Sequence, residues 1–145
     1  MATAKDLFRD RMIGTIFSVN PDATIQEAVK LLTEHNVGAL LVMDKQGKVG
    51  GILSERDIVR KVGLHSKSAD ETKVQDVMTT KVLYVEANQS VEECMALMTE
   101  KNIRHLPVYE KGALLGLISI RDVLRTVISE QQVFITHLEH YIRGG

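Results

Sequence analysis

The sequence predicts a protein of the α+β class in which one strand–helix–strand–strand–helix unit occurs twice. The first observation is an internal repeat: residues 16–62 align with residues 82–127, with a one-residue gap in a polar, glycine-containing turn after Lys45. About sixteen of roughly forty-six aligned pairs are identical, which is typical of duplicated units. The second observation is that hydrophobic spacing changes between strand-like and helical at the same places in both copies.

Both copies predict the same first strand and first helix. A short extended segment covers residues 17–19 in one copy and residues 83–85 in the other. A helix follows, with a hydroxyl residue as N-cap, a glutamate three residues later and an asparagine at its end, which is typical of a capping box and a helix stop. These residues are Thr24, Glu27 and Asn36 in the first copy, and Ser90, Glu93 and Asn102 in the second.

A pair of buried strands and a second helix complete each copy. The short apolar runs are residues 38–43 and 49–53 in the first copy, and residues 104–109 and 113–118 in the second. A tight hairpin turn joins the two strands of each pair. Each pair ends in Ser-x-Arg-Asp, where the strand gives way to the second helix.

We expect four parts along the chain. They are a first domain with its N-terminal segment at residues 1–64, a linker at 65–73, a second domain at 74–128, and a C-terminal amphipathic helix with a tail at 129–145. The linker is polar and rich in serine, as connecting segments often are. The tail carries apolar residues at helical spacing, namely Val133, Phe134, Leu138, Tyr141 and Ile142.

Composition and charge exclude several kinds of protein. The 19 acidic and 18 basic side chains leave a net charge of −1, which argues against a dedicated nucleic-acid or membrane-surface binder. The single cysteine, Cys94, excludes an intramolecular disulfide and a cysteine-based zinc cluster, and we expect a buried structural thiol. With no apolar run of about 20 residues and no apolar signal segment, we expect a soluble, cytoplasmic protein.

The two Ser-x-Arg-Asp segments are the first candidates for chemistry. Each lies where a strand runs into a helix N-terminus, which attracts anions. Serine and arginine add donors for a phosphate, and the aspartate suits a ribose diol because it can accept both hydroxyl hydrogens. The alternative is a capping box between serine and aspartate, and the sequence leaves both interpretations open. The residues are Ser54, Arg56 and Asp57, and Ser119, Arg121 and Asp122.

Two basic residues, Arg104 and His105, begin the buried strand of the second copy. In one interpretation they line an anion pocket; in the other, Arg104 is solvated and His105 is satisfied in the core. The first copy has Gly38 and Ala39 at these positions, so the two halves differ chemically. Small residues there allow a flat ring to approach the backbone closely, or they reflect tight packing.

The sequence contains no recognised catalytic or phosphate-loop motif. His137 and His140 lie one turn apart, but no carboxylate or cysteine set accompanies them, so a surface or interface role is favoured over a metal site. His105 is the one candidate for a general base. We therefore expect a protein that is not an enzyme and has neither a metal nor a catalytic cofactor.

Taken together, these motifs resemble a tandem pair of CBS domains, the unit named after cystathionine β-synthase. The resemblance is carried by residues 102–108, by the twin Gly-h-h-Ser-x-Arg-Asp segments (h apolar) and by Met78-Thr79 at the start of the second unit. It covers residues 10–127 and leaves the tail outside. The close variant is the free-standing CBS-pair protein, which has little beyond the pair itself.

The resemblance implies a regulatory module in which two units pack about a pseudo-twofold axis and form two clefts for adenosine ligands, such as AMP, ADP, ATP, NAD or S-adenosylmethionine. It also implies a homodimer, to which the tail helix adds a contact, and an effector protein that is not identified. In the main cleft, expected to be the tighter one, Asp122 would hold the ribose, with Ser119 and Arg121 near the phosphate. Its other residues would be Met12, Phe17, Val37, Gly38, Ala39, Arg104 and His105, the last two adding positive charge.

The second cleft would consist of Ser54, Arg56, Asp57, Thr79, Leu83 and the backbone of Ile103 and Arg104. Two rival functions remain beside the ligand sensor. One is a structural or partner-binding module whose clefts are vestigial. The other is an enzyme acting on nucleotides, which would need His105 as its base.

Overall fold

The computed structural model describes residues 2–8, 16–63 and 68–142, and these residues form two compact units. The first unit lies within residues 16–83 and contains the first copy of the repeat. The second unit joins residues 2–8 to residues 84–142, which contain the second copy. Each unit has its own hydrophobic core.

The first unit is a three-stranded sheet with two helices. Its elements are β1 (Ser18–Val19), α1 (Ile25–His35), β2 (Ala39–Met43), β3 (Val49–Ser54) and α2 (Glu55–Ile58). The strand order is β1-β2-β3, with β1 parallel and β3 antiparallel to β2. The parallel pair is possible because the crossover between β1 and β2 contains α1.

The second unit repeats this topology element by element. Its elements are β4 (Val85–Glu86), α3 (Val91–Lys101), β5 (His105–Glu110), β6 (Ala113–Ser119) and α4 (Ile120–Ile142). The strand order is β4-β5-β6, again with one parallel and one antiparallel pair. The predicted mixed fold with a duplicated strand–helix–strand–strand–helix order is therefore confirmed.

The predicted helix boundaries of α1 and α3 are confirmed. The Thr24 hydroxyl accepts a hydrogen bond from the N–H of Glu27 at 3.2 Å, and the Ser90 hydroxyl accepts one from the N–H of Glu93 at 3.1 Å. Asn36 ends α1 at a φ of 52°, and the equivalent Asn102 ends α3. Asparagine tolerates this left-handed conformation better than other residues with a side chain.

Each unit includes a short 3-10 helix that lies outside the repeat in sequence. Residues Ala4–Phe8 pack into the core of the second copy, and residues Val74–Asp76 pack into the core of the first. The domain boundaries predicted from the sequence assign the N-terminal segment to the first domain. Its described part, residues 2–8, instead packs with the second copy. The reason is apolar packing, because the Phe8 ring fills the space beside Gly116, where a Cβ would lie 3.0 Å from it.

The second helices of the two copies differ in length. In the first copy α2 continues as one π-helical turn that ends at Gly63, and glycine is a poor helix former. The aligned residue in the second copy is Ile128, and there α4 runs without interruption for 23 residues. The tail expected to begin at residue 129 is therefore helical, but it continues α4 and is not a separate helix. No helix within the described residues is long and apolar enough to cross a membrane.

Candidate functional site

The second copy holds Ser119 and Asp122 in a reciprocal capping box. The N–H of Ser119 donates to Oδ2 of Asp122 at 2.8 Å, and the N–H of Asp122 donates to the Ser119 hydroxyl at 3.2 Å. Ser119 ends β6 and Asp122 lies in the first turn of α4, so the strand-to-helix junction itself fixes their geometry. Asp122 is 6% exposed, and it is the one buried charged side chain in the described part of the chain.

The first copy repeats the same box with Ser54 and Asp57. The N–H and the hydroxyl of Ser54 donate to Oδ2 of Asp57 at 3.1 and 3.0 Å, and the N–H of Asp57 donates back to the Ser54 hydroxyl at 3.1 Å. The capping interpretation of both Ser-x-Arg-Asp segments is therefore confirmed. It does not exclude ligand binding, which stays a prediction at both segments.

Asp57 has two further neighbours. The Thr79 hydroxyl donates towards both carboxylate oxygens, at 3.3 and 3.4 Å. The ammonium group of Lys61 lies 4.0 Å from Oδ1 and donates to the carbonyl of Val77 at 2.9 Å. Sequence reasoning found Thr79 but missed Lys61, because Thr126 replaces it in the second copy. The signal that could have found it is its spacing, one helical turn after Asp57.

Thr79 reaches Asp57 because the segment before it adds to the edge of β3. Ile52 and Thr79 exchange two backbone hydrogen bonds, at 3.0 and 2.9 Å. The segment lies so close to the strand that a Cβ on Gly51 would be 2.8 Å from both the Met78 sulfur and the Thr79 carbonyl oxygen. Glycine at position 51 therefore allows this close approach, which brings Thr79 beside Asp57.

Gly38 and Arg104 occupy equivalent positions in the two copies, and each lies directly beside the capping box of its own unit. The carbonyl of Gly38 accepts from the N–H of Glu55 at 3.0 Å, and the carbonyl of Arg104 accepts from the N–H of Ile120 at 2.8 Å. In each unit, the next residue of the strand is paired with the serine of the box. The pairs are Ala39 with Ser54, and His105 with Ser119.

His105 differs from what the resemblance implied, because it carries no positive charge at neutral pH. Burial of the imidazole, helped by the neighbouring Arg104 guanidinium, lowers the pKa of His105 from 6.5 to about 4. The positive charges beside the second-copy box are therefore those of Arg104 and Arg121, both exposed. A neutral imidazole can still donate or accept a hydrogen bond.

The other predicted site residues are distributed over both units. Phe17 stacks on His35, with ring centroids 4.1 Å apart and planes 21° from parallel. Val37 and Ile103 each pack at the edge of their own unit's core, and Leu83 is 38% exposed. Arg56 is partly buried in α2. Met12 lies outside the described residues.

Cys94 is buried, as predicted. Burial and the carboxylates of Glu93 and Glu92 raise the pKa of its thiol to about 11, against a weaker opposing effect of a backbone hydrogen bond. A thiol that stays protonated at neutral pH is a poor nucleophile and a poor metal ligand. Among the described residues, no group of three or more potential metal-ligating side chains lies close enough together to hold an ion.

Comparison with known proteins assigns the repeat. The family profile of the CBS domain matches residues 4–63 and 74–129, which is most of the chain. The chain therefore belongs to the CBS-domain family, as a protein with two CBS repeats. This confirms the resemblance inferred from the motifs.

Individual relatives agree with this assignment. The chain is 41% identical over 128 residues to the mitochondrial CBS domain-containing protein CBSX3 of Arabidopsis thaliana; the match covers 86% of this chain and 62% of that protein. It is similar to a solved structure from Burkholderia ambifaria MC40-6, a protein with CBS domains and a provisional signal-transduction role (TM-score 0.86, 45% identity, 90% of this chain and 96% of that one). It is also similar to a hexameric CBS-CP12 protein from bloom-forming cyanobacteria (TM-score 0.75, 29% identity, 86% of this chain and 70% of that one).

Proposed function

We propose that this chain is a regulatory module that binds an adenosine-containing ligand, AMP, ADP, ATP or NAD, at its Ser-x-Arg-Asp segments and signals the bound state to a partner protein. The observation that carries the proposal is Asp122, a buried carboxylate held at a helix N-terminus by a reciprocal box with Ser119. The same arrangement occurs at Asp57.

The chemistry of each segment suits two parts of such a ligand. A carboxylate can accept hydrogen bonds from both hydroxyl groups of a ribose. The positive end of a helix and the guanidinium of the adjacent arginine favour a phosphate. Because Asp122 is more buried than Asp57, its hydrogen bonds lie in a medium of lower dielectric and are stronger. We therefore expect the Asp122 site to bind more tightly than the Asp57 site.

Signalling follows from differential affinity. A ligand that binds one arrangement of a protein better than another shifts the population towards that arrangement, and a partner that reads one arrangement then responds to ligand concentration. The provisional signal-transduction role of the Burkholderia relative supports this proposal. We include no catalytic step in it, because burial of the imidazole lowers the pKa of His105, the one candidate for a general base, to about 4 and makes it a weak base.

Two further expectations belong to the proposal. Self-association is one, and the hexameric state of the cyanobacterial relative supports it. A cytoplasmic location is the other; it rests on the sequence alone, and the Arabidopsis relative is mitochondrial.

Isothermal titration calorimetry of the full chain with AMP, ADP, ATP and NAD tests the proposal. Asp122→Asn removes the charge but retains an oxygen that can accept from the N–H of Ser119, so the cap survives. We expect this variant to lose at least tenfold in affinity for the tighter site, because a hydrogen bond to a charged group contributes about 1.5–3 kcal/mol. Asp57→Asn is the matched control and should leave the tighter site unchanged.

The 2′-deoxy analogue of AMP separates ribose recognition from phosphate recognition. If a carboxylate accepts the 2′-hydroxyl hydrogen, the analogue binds about tenfold or more weakly. No heat of binding and no increase in melting temperature with any of the four nucleotides at millimolar concentration would contradict ligand binding. The chain would then fit the alternative, a structural or partner-binding module with vestigial sites.

A further inference from the structure

Lys61 is the one cation that forms an ion pair with Asp57 among the described residues. Its ammonium group lies 4.0 Å from Oδ1 of the carboxylate, and the side chain of Asp57 is only 17% exposed. Because the two charges are opposite and close together, the pair has little net electric field at a distance. The carboxylate proposed to bind a ribose in the first copy is therefore already neutralised.

A second contact holds the ammonium group of Lys61 in this position. It donates a hydrogen bond to the carbonyl of Val77 at 2.9 Å. Val77 is fully buried in the core of the first unit, and its own N–H donates to the carbonyl of the buried Val74 at 3.0 Å. A carbonyl fixed by the core is a rigid anchor for a long, flexible side chain. The ammonium group has three donors, so this anchor leaves two of them for other acceptors.

This cation belongs to the first copy alone. Lys61 lies in the π-helical turn Val59–Gly63 that follows α2, and π-helical turns often occur at functional sites. In the second copy α4 continues without such a turn, and Thr126 stands at the aligned position. The two Ser-x-Arg-Asp sites therefore differ in charge beside the aspartate, although their capping boxes are alike.

A carboxylate that accepts ribose hydroxyls also repels the rest of a nucleotide. The phosphates are attached to the same ribose, so their negative charges lie near the carboxylate. Charges within about 8 Å of each other still interact at physiological salt. A cation 4.0 Å from the carboxylate cancels most of this repulsion. The benefit grows with the number of phosphates, and an uncharged nucleoside gains none.

We infer that Lys61 is a specificity-determining residue of the Asp57 site, which allows that site to hold ligands of high phosphate charge. The inference rests on the proposed function, because it takes from it the ribose at Asp57 and the phosphates beside Arg56. It adds a residue outside the Ser-x-Arg-Asp segment. It also adds an order, since the contribution of Lys61 to affinity rises from adenosine through AMP and ADP to ATP.

Isothermal titration calorimetry in an Asp122→Asn background tests the inference, because this change weakens the tighter site and leaves the Asp57 site to be measured. The ligands are adenosine, AMP, ADP and ATP in buffer without magnesium; they share base and ribose and differ in charge. Lys61→Met removes the ammonium group and keeps most of the side-chain length. We expect it to weaken binding roughly fivefold for AMP, roughly tenfold or more for ATP, and less than about twofold for adenosine.

Two further variants in the same background separate the charge from other effects of the substitution. Lys61→Arg keeps the positive charge, so all four affinities should stay within about twofold of the background chain. Lys45→Met removes one positive charge from the exposed hairpin turn at the other end of β2 and β3. That turn lies roughly 13 Å along the strands from the capping box, beyond the screening distance, so this control should leave the four affinities unchanged.

Ionic strength provides a second measurement of the same effect. At about 1 M salt the screening distance falls to about 3 Å. The difference in ATP affinity between the background chain and Lys61→Met should then shrink towards the small difference found with adenosine. A lysine that only supported the local structure would lower the affinity equally at low and at high salt.

The outcomes distinguish this inference from the proposed function. If Lys61→Met weakens adenosine and ATP by the same factor, or changes neither, the inference is wrong and the proposed function stands. A loss in Lys61→Arg as large as that in Lys61→Met would also contradict it, because the charge would then be irrelevant. If none of the four ligands binds the wild-type chain, the proposed function fails and this inference fails with it.

Discussion

The Thr79 hydroxyl lies 3.3 Å from Oδ1 of Asp57, although the sequence assigns Asp57 to the first predicted domain (residues 1–64) and Thr79 to the second (residues 74–128). The contact exists because the segment that leads into the second copy adds to the edge of β3 through its hydrogen bonds with Ile52. A segment of chain that precedes the second copy thus completes the surroundings of Asp57, a candidate site residue of the first copy.

Thr79→Val removes the hydroxyl and keeps the shape of the side chain. The contact is exposed and slightly long, so we expect a loss of only about 0.5 kcal/mol in the free energy of unfolding, at the lower end of the usual contribution of one hydrogen bond. Urea denaturation followed by circular dichroism measures it. Thr80→Val is the matched control, because Thr80 is exposed and its hydroxyl makes no hydrogen bond within the described residues. Equal effects of the two substitutions would show that the Asp57 contact contributes nothing.

Gly51→Ala should destabilise the first unit. The new methyl group would lie 2.8 Å from the Met78 sulfur and from the Thr79 carbonyl oxygen, and backbone cannot move aside as a flexible side chain can. Overpacking of this kind costs about 1–3 kcal/mol. The preceding glycine provides the control, because a Cβ on Gly50 meets no atom within 4 Å. A melting temperature for Gly51→Ala equal to that of Gly50→Ala would contradict the close approach.

The repeat made most of the fold predictable. The hydroxyl N-caps, the asparagine C-caps and the two hairpins all act over a few residues, so their local sequence is sufficient. The packing of residues 2–8 with the second copy could not be predicted in this way, because apolar residues such as Leu7 and Phe8 fit either core. Tertiary contacts decide between them: Phe8 packs against Gly116, and the backbone N–H groups of Ala4 and Lys5 donate to the carbonyls of Gln89 and Ala87.

The candidate site was predictable in its residue types but not in its charge state. Sequence identifies His105 as basic, yet the pKa depends on how far the strand buries the ring and on the nearby Arg104. Lys61 was missed for a related reason, since a repeat comparison finds what the two copies share. Lys61 serves the first copy alone, so the signal for it was its spacing of four residues from Asp57, and the distance of 4.0 Å between the two groups bears that spacing out.

Cys94 should react only when the chain unfolds. It is fully buried in α3, and its pKa of about 11 leaves almost no thiolate at neutral pH. Labelling with a thiol-reactive dye at pH 7 should therefore be slow in buffer and rapid in denaturing urea. Fast labelling of the folded chain would place the thiol at the surface.

Cys94→Ala copies the first repeat, where Ala28 stands at this position, and should cost about 1–2 kcal/mol through the small cavity left behind.

The stability of the second unit should depend on the protonation of His105. Burial lowers the pKa of this imidazole from 6.5 to about 4 in the folded chain. Between these two pH values the unfolded chain binds a proton that the folded chain does not. Above pH 6.5 the imidazole is neutral in both states, so its protonation does not affect stability. As the pH falls from 6.5 to 4, proton uptake by the unfolded chain lowers the free energy of unfolding by up to about 3 kcal/mol.

Urea denaturation at a series of pH values from 7 to 4 measures this loss. Carboxylates also titrate in this range, so the informative quantity is the difference in pH dependence between the wild type and His105→Ala, which copies Ala39 of the first repeat. We expect the variant to have a shallower decline, because the group that takes up the proton on unfolding is absent. His137→Ala, which removes an exposed histidine from α4, should decline as the wild type does. If wild type and His105→Ala show the same dependence on pH, His105 is not held neutral by its surroundings.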